Sequence, residues 1–437
     1  MLDKKKYLKF LYNLKNSYVK KYRQLFYKKN KVKRLTVVNQ FFSPDYAATG
    51  QLLGSLSKNL ALENDFKIEV LTGFPSYAYN CSKVKKIEKS YNRIIKRSIS
   101  SSIWPKKYGG RLVNSLLFTL NIGFKLVFMQ KRSNIIIFTS EPPFLAFIAL
   151  LIKFLTRTPY IILIYDLYPD ILLKLNYIKK DNKIFNLWNK FNFISYKHAN
   201  EIIVLSNSMK DKLFKNFPLL KTKVNVISSW ADHEQIKPLS KNLNWFAKKY
   251  NLEKSFVVLY SGNQGRCHDL ITIIDAALLL KSNKGIKFLF IGKGPQNKKI
   301  KDLARKLFLD NCIFLPYQKF EDLKFSLTSA DLALVSLNKN AEGLVAPSKL
   351  YGHLASGTPI ALISPSGSYL KELVENRSLG KWFDNGSSNE LANWIKVIKR
   401  NENLRKDISK NCREYLIKEA SLQIIKNKYL DVIQRNF

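Results

Sequence analysis

Twice along this chain a short β-rich run ends in a loop of small residues and passes into an amphipathic stretch. Residues 35–41 lead through Ser43-Pro44 and Gly50 into 51–62, and residues 256–260 lead through a Gly-rich loop into 270–280. Further strand-like runs follow each start: 68–72, 134–139, 159–165 and 201–205 in the first series, then 287–291, 312–315, 332–336 and 359–363 in the second. Helical patterns separate them. Strand and helix alternating in this way point to α/β architecture with a doubly wound parallel sheet. The restart makes it two Rossmann-like sheets facing across a cleft, where ligands bind outside the carboxyl ends of the strands.

A chain of 437 residues suits two domains of roughly 200 residues each. The expected division is a basic arm at 1–33, a first domain at 34–230, a second at 231–400, and C-terminal helices at 401–437 that pack back toward the first domain. The stretch 230–238 reads as the passage between domains.

The formal charge is +42. Lysine spread over every solvated face accounts for such a value, and so does an anionic membrane, substrate or nucleic acid. Residues 1–34 hold thirteen Lys/Arg against the single Asp3, so +12 sits in the arm and +30 elsewhere. Within the arm Tyr7, Phe10, Leu11, Leu14, Tyr18, Tyr22, Leu25 and Phe26 recur at helical spacing, the pattern of a basic amphipathic helix on anionic lipid or of a solvated helix. No zinc-finger spacing or RNA-recognition strand motif occurs, so no nucleic-acid partner is expected. The four cysteines, Cys81, Cys267, Cys312 and Cys412, lack metal-ligand or CxxC spacing and read as reduced thiols of a cytoplasmic protein. No bound metal is expected. Residues 144–155 are too short to span a bilayer, and Asn114, Asn121 and Lys125 interrupt 112–129. The expected location is the cytoplasm, with peripheral contact at the inner face of the plasma membrane.

Four loops carry candidate chemistry. Residues 43–51 follow a strand and open a helix, where free N–H groups favour an anion. Residues 260–269 occupy the equivalent place in the second half and bring Gly262, Gly265, Arg266 and His268 together. Gly292-Lys293-Gly294 repeats the strand-Gly-x-Gly pattern. In 341–352 a carboxylate precedes small residues and a Pro at a helix start. There backbone amides can hold a diphosphate while Glu342 accepts hydrogen bonds from sugar hydroxyls, and Lys349 adds charge.

Together these segments resemble the family 4 retaining glycosyltransferases of bacterial surface-polysaccharide assembly, especially the WbuB-like branch of O-antigen, colanic acid and exopolysaccharide synthesis. The resemblance is collinear from about Arg34 onward and rests on NQFFSPDYAATGQ, TSEPP, YDLYPD, VISSWAD, YSGNQGRCHD, FIGKGP, FLPYQ and AEGLVAPSKLYGHLASG. It implies a GT-B fold, with an acceptor-side first domain and a second domain that holds a UDP- or GDP-linked sugar. It implies that Glu342 contacts the donor sugar, with Arg266 and Lys349 beside it as the cationic members of the catalytic set. Gly50, Gly265, Gly343, Leu344 and Val345 would hold the diphosphate, and Gly292, Gly294, Pro316 and Tyr317 the base and ribose. Asp166 and His268 are the acceptor-side candidates. Three departures stand out. Gly352 falls where the family has a second Glu, Asn263 and His268 fall where it has phosphate-binding Arg and Lys, and Tyr165 replaces a common His.

The implied reaction is hexosyl or N-acetylhexosaminyl transfer to a lipid-linked glycan, without an obligatory cofactor. Retention would proceed on one face, the leaving phosphate assisting deprotonation of the acceptor. A nucleotide-sugar epimerase of similar fold and a basic nucleic-acid-binding protein are the alternatives. The first would turn over without an acceptor, and the second would bind unrelated DNA with steep salt dependence.

Overall fold

A computed structural model describes residues 32–63, 66–75, 84–98, 108–129 and 133–437. Cys81 and all but the last two residues of the 1–33 arm lie outside them. The first half contains β1 (Lys33–Val38), β2 (Phe66–Gly73), β3 (Ile87–Ser90), β4 (Arg93–Ser98), β5 (Ile135–Thr139), β6 (Tyr160–Ile164), β7 (Glu201–Val204) and β8 (Lys223–Val226). Their order in the sheet is β3-β4-β2-β1-β5-β6-β7-β8. Every pairing is parallel except β3 with β4, so this sheet is mixed, not purely parallel. β5, β6 and β7 are buried along their whole length. Runs such as Ile135-Ile136-Ile137-Phe138 need helices on both faces of the sheet.

Those helices are α1 (Ala48–Leu60), α2 (Tyr108–Val127), α3 (Leu145–Thr156), α4 (Lys183–His198) and α5 (Asn207–Asn216). The crossover through α1 runs from β1 to β2, and the one through α3 runs the opposite way, from β5 to β6. Right-handed crossovers therefore place α1 on one face and α2, α3 and α4 side by side on the other.

The second half holds β9 (Phe256–Ser261), β10 (Ile286–Ile291), β11 (Cys312–Leu315), β12 (Leu332–Ser336), β13 (Ile360–Ile363) and β14 (Gly380–Phe383). Their order is β11-β10-β9-β12-β13-β14, parallel throughout. The α/β fold class expected from the sequence is the one observed. Its helices include α6 (Ile271–Leu279), α7 (Asn297–Lys306), α8 (Lys349–Ala355), α9 (Ser388–Arg400) and α10 (Glu402–Tyr415), and the chain ends on α11 (Leu422–Gln434).

The chain crosses between the halves twice, at neighbouring points. Ala231 N–H donates to the Ala420 carbonyl (3.4 Å), and Leu422 N–H donates to the Ala231 carbonyl (3.3 Å). α11 then packs against α1 and gives Leu422, Ile425, Tyr429, Val432 and Ile433 to the core of the first half. Trp230 meets Tyr429 edge-on at 5.9 Å, and Lys426 pairs with Glu63 at 2.7 Å. Among the described residues no helix is long and apolar enough to cross a membrane.

Candidate active site

In each sheet the crossovers reverse direction beside the first strand: β1 lies between β2 and β5, and β9 between β10 and β12. Crevices outside the carboxyl ends of such strands are where open α/β sheets bind ligands. The loops after β1, β5, β6, β9, β10 and β12 meet there.

The floor on the second half is backbone laid on backbone. Gly262 and Gly292 adopt φ of +128° and +130°, values that favour glycine. A Cβ on Gly292 would lie 2.1 Å from the Gly262 carbonyl oxygen, and one on Gly294 would lie 2.5 Å from the Gln264 backbone. Gln264 N–H donates to the Lys293 carbonyl, and Gln296 N–H to the Gln264 carbonyl. The Gly-x-Gly pattern at 292–294 thus allows two loops to close on each other, with the Tyr317 ring over Gly292. Gly265 is buried in the same floor. Tyr317 stacks on Tyr46 of the first half, the ring centroids 5.6 Å apart. Its neighbour Pro316 accepts a 2.7 Å hydrogen bond from the Gln318 side chain.

Lys349 opens α8 and reaches back across this floor. Its ammonium donates to the Tyr260 hydroxyl and, at 3.4 Å, to the Asn263 carbonyl; Tyr260 in turn donates to the Asn263 carbonyl (2.8 Å). Among the described residues no carboxylate pairs with Lys349. Burial pushes its pKa well below the usual lysine value, with the Cys267 thiol opposing. A partly buried cation without a counter-ion carries an unmet cost that an anion would relieve.

Glu342 lies beyond β12, just after the turn at Lys339–Ala341. Both of its carboxylate oxygens are buried and without a hydrogen-bond partner. Gly343 follows at φ +70°, where a Cβ would press to 3.1 Å from the Ser208 carbonyl oxygen of α5. Leu344 inserts its side chain into the core of the first half. Its N–H is given to the Ala341 carbonyl (3.1 Å), and its own carbonyl accepts from Leu167 N–H (3.0 Å). This corrects the expectation of three free amides for a diphosphate: the Leu344 amide already serves the loop, leaving those of Gly343 and Val345. Val345 bridges to Asp166.

Two other expectations change. Gly50 lies buried in the first turn of α1, where a Cβ would come within 2.8 Å of the Phe42 Cα. Its lack of a side chain serves helix packing beneath the loop. His268, expected on the acceptor side, belongs to the loop after β9 in the second half. Its Nδ1 lies 2.7 Å from the Ser336 carbonyl oxygen. Burial and the nearby Lys349 ammonium hold its pKa down to about 3, so the ring is neutral at pH 7 and cannot offer a phosphate charge. Arg266 is exposed and lies over the Tyr177 ring of the first half at 5.0 Å.

From the first half comes a pair of acids. Burial raises Asp166 to about 6, and its N–H donates to Ser140 Oγ at 3.1 Å. Glu141, absent from the sequence candidates, is raised to about 8, first by burial and then by Asp166, with the Thr49 hydroxyl at 3.5 Å opposing. At pH 7 Glu141 is mostly protonated and Asp166 mostly ionised. The TSEPP motif carried Glu141 in plain view, but its apolar setting depends on tertiary contacts. Arg97 was also missed. Its buried side chain donates to the Ser43 carbonyl (2.7 Å) and pairs with Glu88, anchoring the loop that presents Tyr46 and leads into α1. Among the described residues no group of three or more acid, His or Cys side chains could hold a metal ion.

Comparison with known proteins agrees with this geometry. Residues 242–415 match the family model described as glycosyl transferases group 1. The chain is 26% identical over 316 residues to the probable glycosyltransferase WbjE of Pseudomonas aeruginosa, covering 70% of this chain and 72% of that one. Sucrose-phosphate synthase from Thermosynechococcus elongatus superposes with a TM-score of 0.73 at 14% identity, over 92% of this chain and 98% of the other. HepE of Anabaena, solved in complex with UDP and glucose, superposes at 0.67 and 14% identity, over 92% and 100%. The fold is GT-B, and the chain is a glycosyltransferase.

Proposed function

We propose that this glycosyltransferase is a retaining enzyme that moves a sugar from a UDP- or GDP-linked donor to a lipid-linked glycan in cell-surface polysaccharide synthesis. The donor lies on the second half (231–400), and the acceptor enters from the first (34–230). The observation that carries this reading is the pairing of two unmet charges at one crevice: the unpartnered Glu342 carboxylate and the Lys349 ammonium without a counter-ion. A nucleoside-diphosphate sugar answers both. Its hydroxyls donate to Glu342, and its diphosphate lies against Lys349 and the N–H groups of Gly343 and Val345. Support for the donor class comes from HepE, solved in complex with UDP and glucose on the same fold. In this reading Tyr317 and Pro316 border the base.

When the bond from the anomeric carbon to the diphosphate breaks, the sugar gains positive charge and the leaving group negative charge. Fixed donors stabilise the second, and they act without reorganising at the moment of reaction. Lys349 and Arg266 supply the cationic part. The acceptor hydroxyl attacks the face that the diphosphate leaves, and its proton passes to the departing phosphate oxygen.

The test is thermal unfolding of the purified chain against a panel of UDP- and GDP-sugars. A donor at a hundred times its dissociation constant stabilises by about 2.7 kcal/mol. A shift confined to one nucleotide, absent in Glu342→Ala, is expected. No shift with any donor, or an equal shift in the variant, would overturn the assignment. The anomeric configuration of the product, read by NMR, decides retention separately.

A further inference from the structure

We propose that Trp188 and Asn189, at the crevice end of α4, hold a neutral sugar ring of the acceptor. The proposal rests on the reading of the first half as the acceptor side. α4 leads into β7, which is parallel to β6. The helix therefore runs against the strands, and its first turns stand at their carboxyl ends. Its buried residues Phe185, Asn192, Ser195 and Tyr196 mark an inward stripe at helical spacing. Trp188 and Asn189 fall on that stripe.

Each of the two loops that carry the first half's acid pair also sends an aromatic ring onto Trp188. After β5, Phe144 follows Glu141 in the chain and stacks on the indole, the centroids 5.1 Å apart. After β6, Tyr168 follows Asp166 and lies parallel to the indole at 6.3 Å. The Asn192 side chain donates to the Tyr168 carbonyl at 2.7 Å and fastens α4 to that loop. All three rings keep part of their surface exposed. Leu167, beside Tyr168, donates to the Leu344 carbonyl, so the aromatic group adjoins the loop that carries Glu342.

This packing leaves two polar groups unanswered. The Trp188 indole N–H and the Asn189 side-chain oxygen are buried, and neither has a hydrogen-bond partner. Each costs stability until a ligand meets it. Their chemistry selects the occupant. A hydrogen-bond donor and an acceptor beside aromatic rings suit a pyranose, whose hydroxyls answer both and whose C–H faces lie on rings. A prenyl or acyl chain would leave both groups unmet. An anionic sugar would meet Asp166, mostly ionised at pH 7.

The experiment is fluorine NMR of the full chain labelled with fluorotryptophan. Among its six tryptophans, Trp188 is identified by the signal lost in Trp188→Phe. The probes are methyl glycosides of glucose, galactose, mannose and N-acetylglucosamine, with methyl glucuronide as the anionic counterpart. At least one neutral glycoside should move the Trp188 signal saturably, and the glucuronide should bind more weakly. Asn189→Leu, which keeps Trp188 as reporter, should weaken that glycoside about fivefold or more. The same variant should retain the donor-induced thermal shift and a melting temperature no lower than before. A Trp188 signal that no glycoside moves, or one that moves with equal affinity in Asn189→Leu, overturns the proposal. Tighter binding of the glucuronide overturns the choice of a neutral ring. A chain that answers glycosides at Trp188 but no nucleotide sugar would refute the donor reading and leave this one standing.

Discussion

Replacing Glu342 by Leu should make the protein more stable and less active. Each buried polar atom left without a hydrogen bond costs about 1–3 kcal/mol, and both Glu342 oxygens are in that state. Leucine removes them and refills most of the volume. After some loss to imperfect packing, the variant should gain about 1–3 kcal/mol. For a unit of roughly 200 residues, that raises the melting temperature on the order of 5 °C. Transfer should fall about a hundredfold or more, because hydrogen bonds to a charged group contribute roughly 1.5–3 kcal/mol each. Differential scanning calorimetry without ligand measures the first effect, and initial rates at saturating donor measure the second. A structural carboxylate would behave in the opposite way. A variant that melts several degrees lower, or one that keeps its rate, refutes the argument.

Three further outcomes follow from the same geometry. Lys349→Met should leave unliganded stability unchanged or higher, since the ammonium has no counter-ion, and should weaken nucleoside-diphosphate binding about thirtyfold or more by titration calorimetry; unchanged affinity removes Lys349 from the site. Gly292→Ala forces a Cβ to 2.1 Å from the Gly262 carbonyl at φ +130°; it should cost about 3 kcal/mol or more in urea unfolding, and a loss below about 0.5 kcal/mol contradicts the loop packing. Glu141 is raised from 4.5 to about 8, so the folded chain holds a proton that the unfolded chain releases between those values. Stability should therefore fall as pH rises from about 5 to 8; Glu141→Gln should flatten that decline in melting temperature, and a decline of unchanged slope assigns it to other groups.

The fold was legible where strands are apolar on both faces. Runs such as 135–139 and 256–261 state their burial in their own composition, and their alternation with helical spacing announces parallel sheets. β3 escaped because Ile87-Glu88-Lys89-Ser90 is an edge strand, and three of its four residues are exposed. β14 escaped because it has four residues and begins with glycine. Within the site, residue types were readable but their neighbours were not. A glycine in sequence does not say whether it makes room for ligand or for chain: Gly50, Gly292 and Gly294 make room for chain. His268 looked like a cation and is neutral, because its proton affinity is set by burial and by Lys349, eighty-one positions away. Glu141 has the same lesson in reverse, an unremarked acid that folding turns into a protonated one.

The loop from Ala341 to Ala346 couples the two halves. It belongs by sequence to the second half, yet Leu344 completes the core of the first and accepts a hydrogen bond from Leu167. Glu342 and Gly343 immediately precede that anchor, and Asp166 bridges to the residue after it. The positions of Glu342 and Asp166, the proposed sugar-facing carboxylate and acceptor-side acid, are thereby fixed relative to each other. The Tyr46–Tyr317 stack and the Arg266–Tyr177 contact add two more ties across the crevice. Opening the crevice by rotation about the paired crossovers at Ala231 and Ser421 must withdraw Leu344 from an apolar pocket and break these ties together. The same step separates Glu342 from Asp166. With the roles proposed above, charge stabilisation on one side and acceptor chemistry on the other would be assembled only when the halves meet, which would keep an isolated donor from reacting with water in an open crevice.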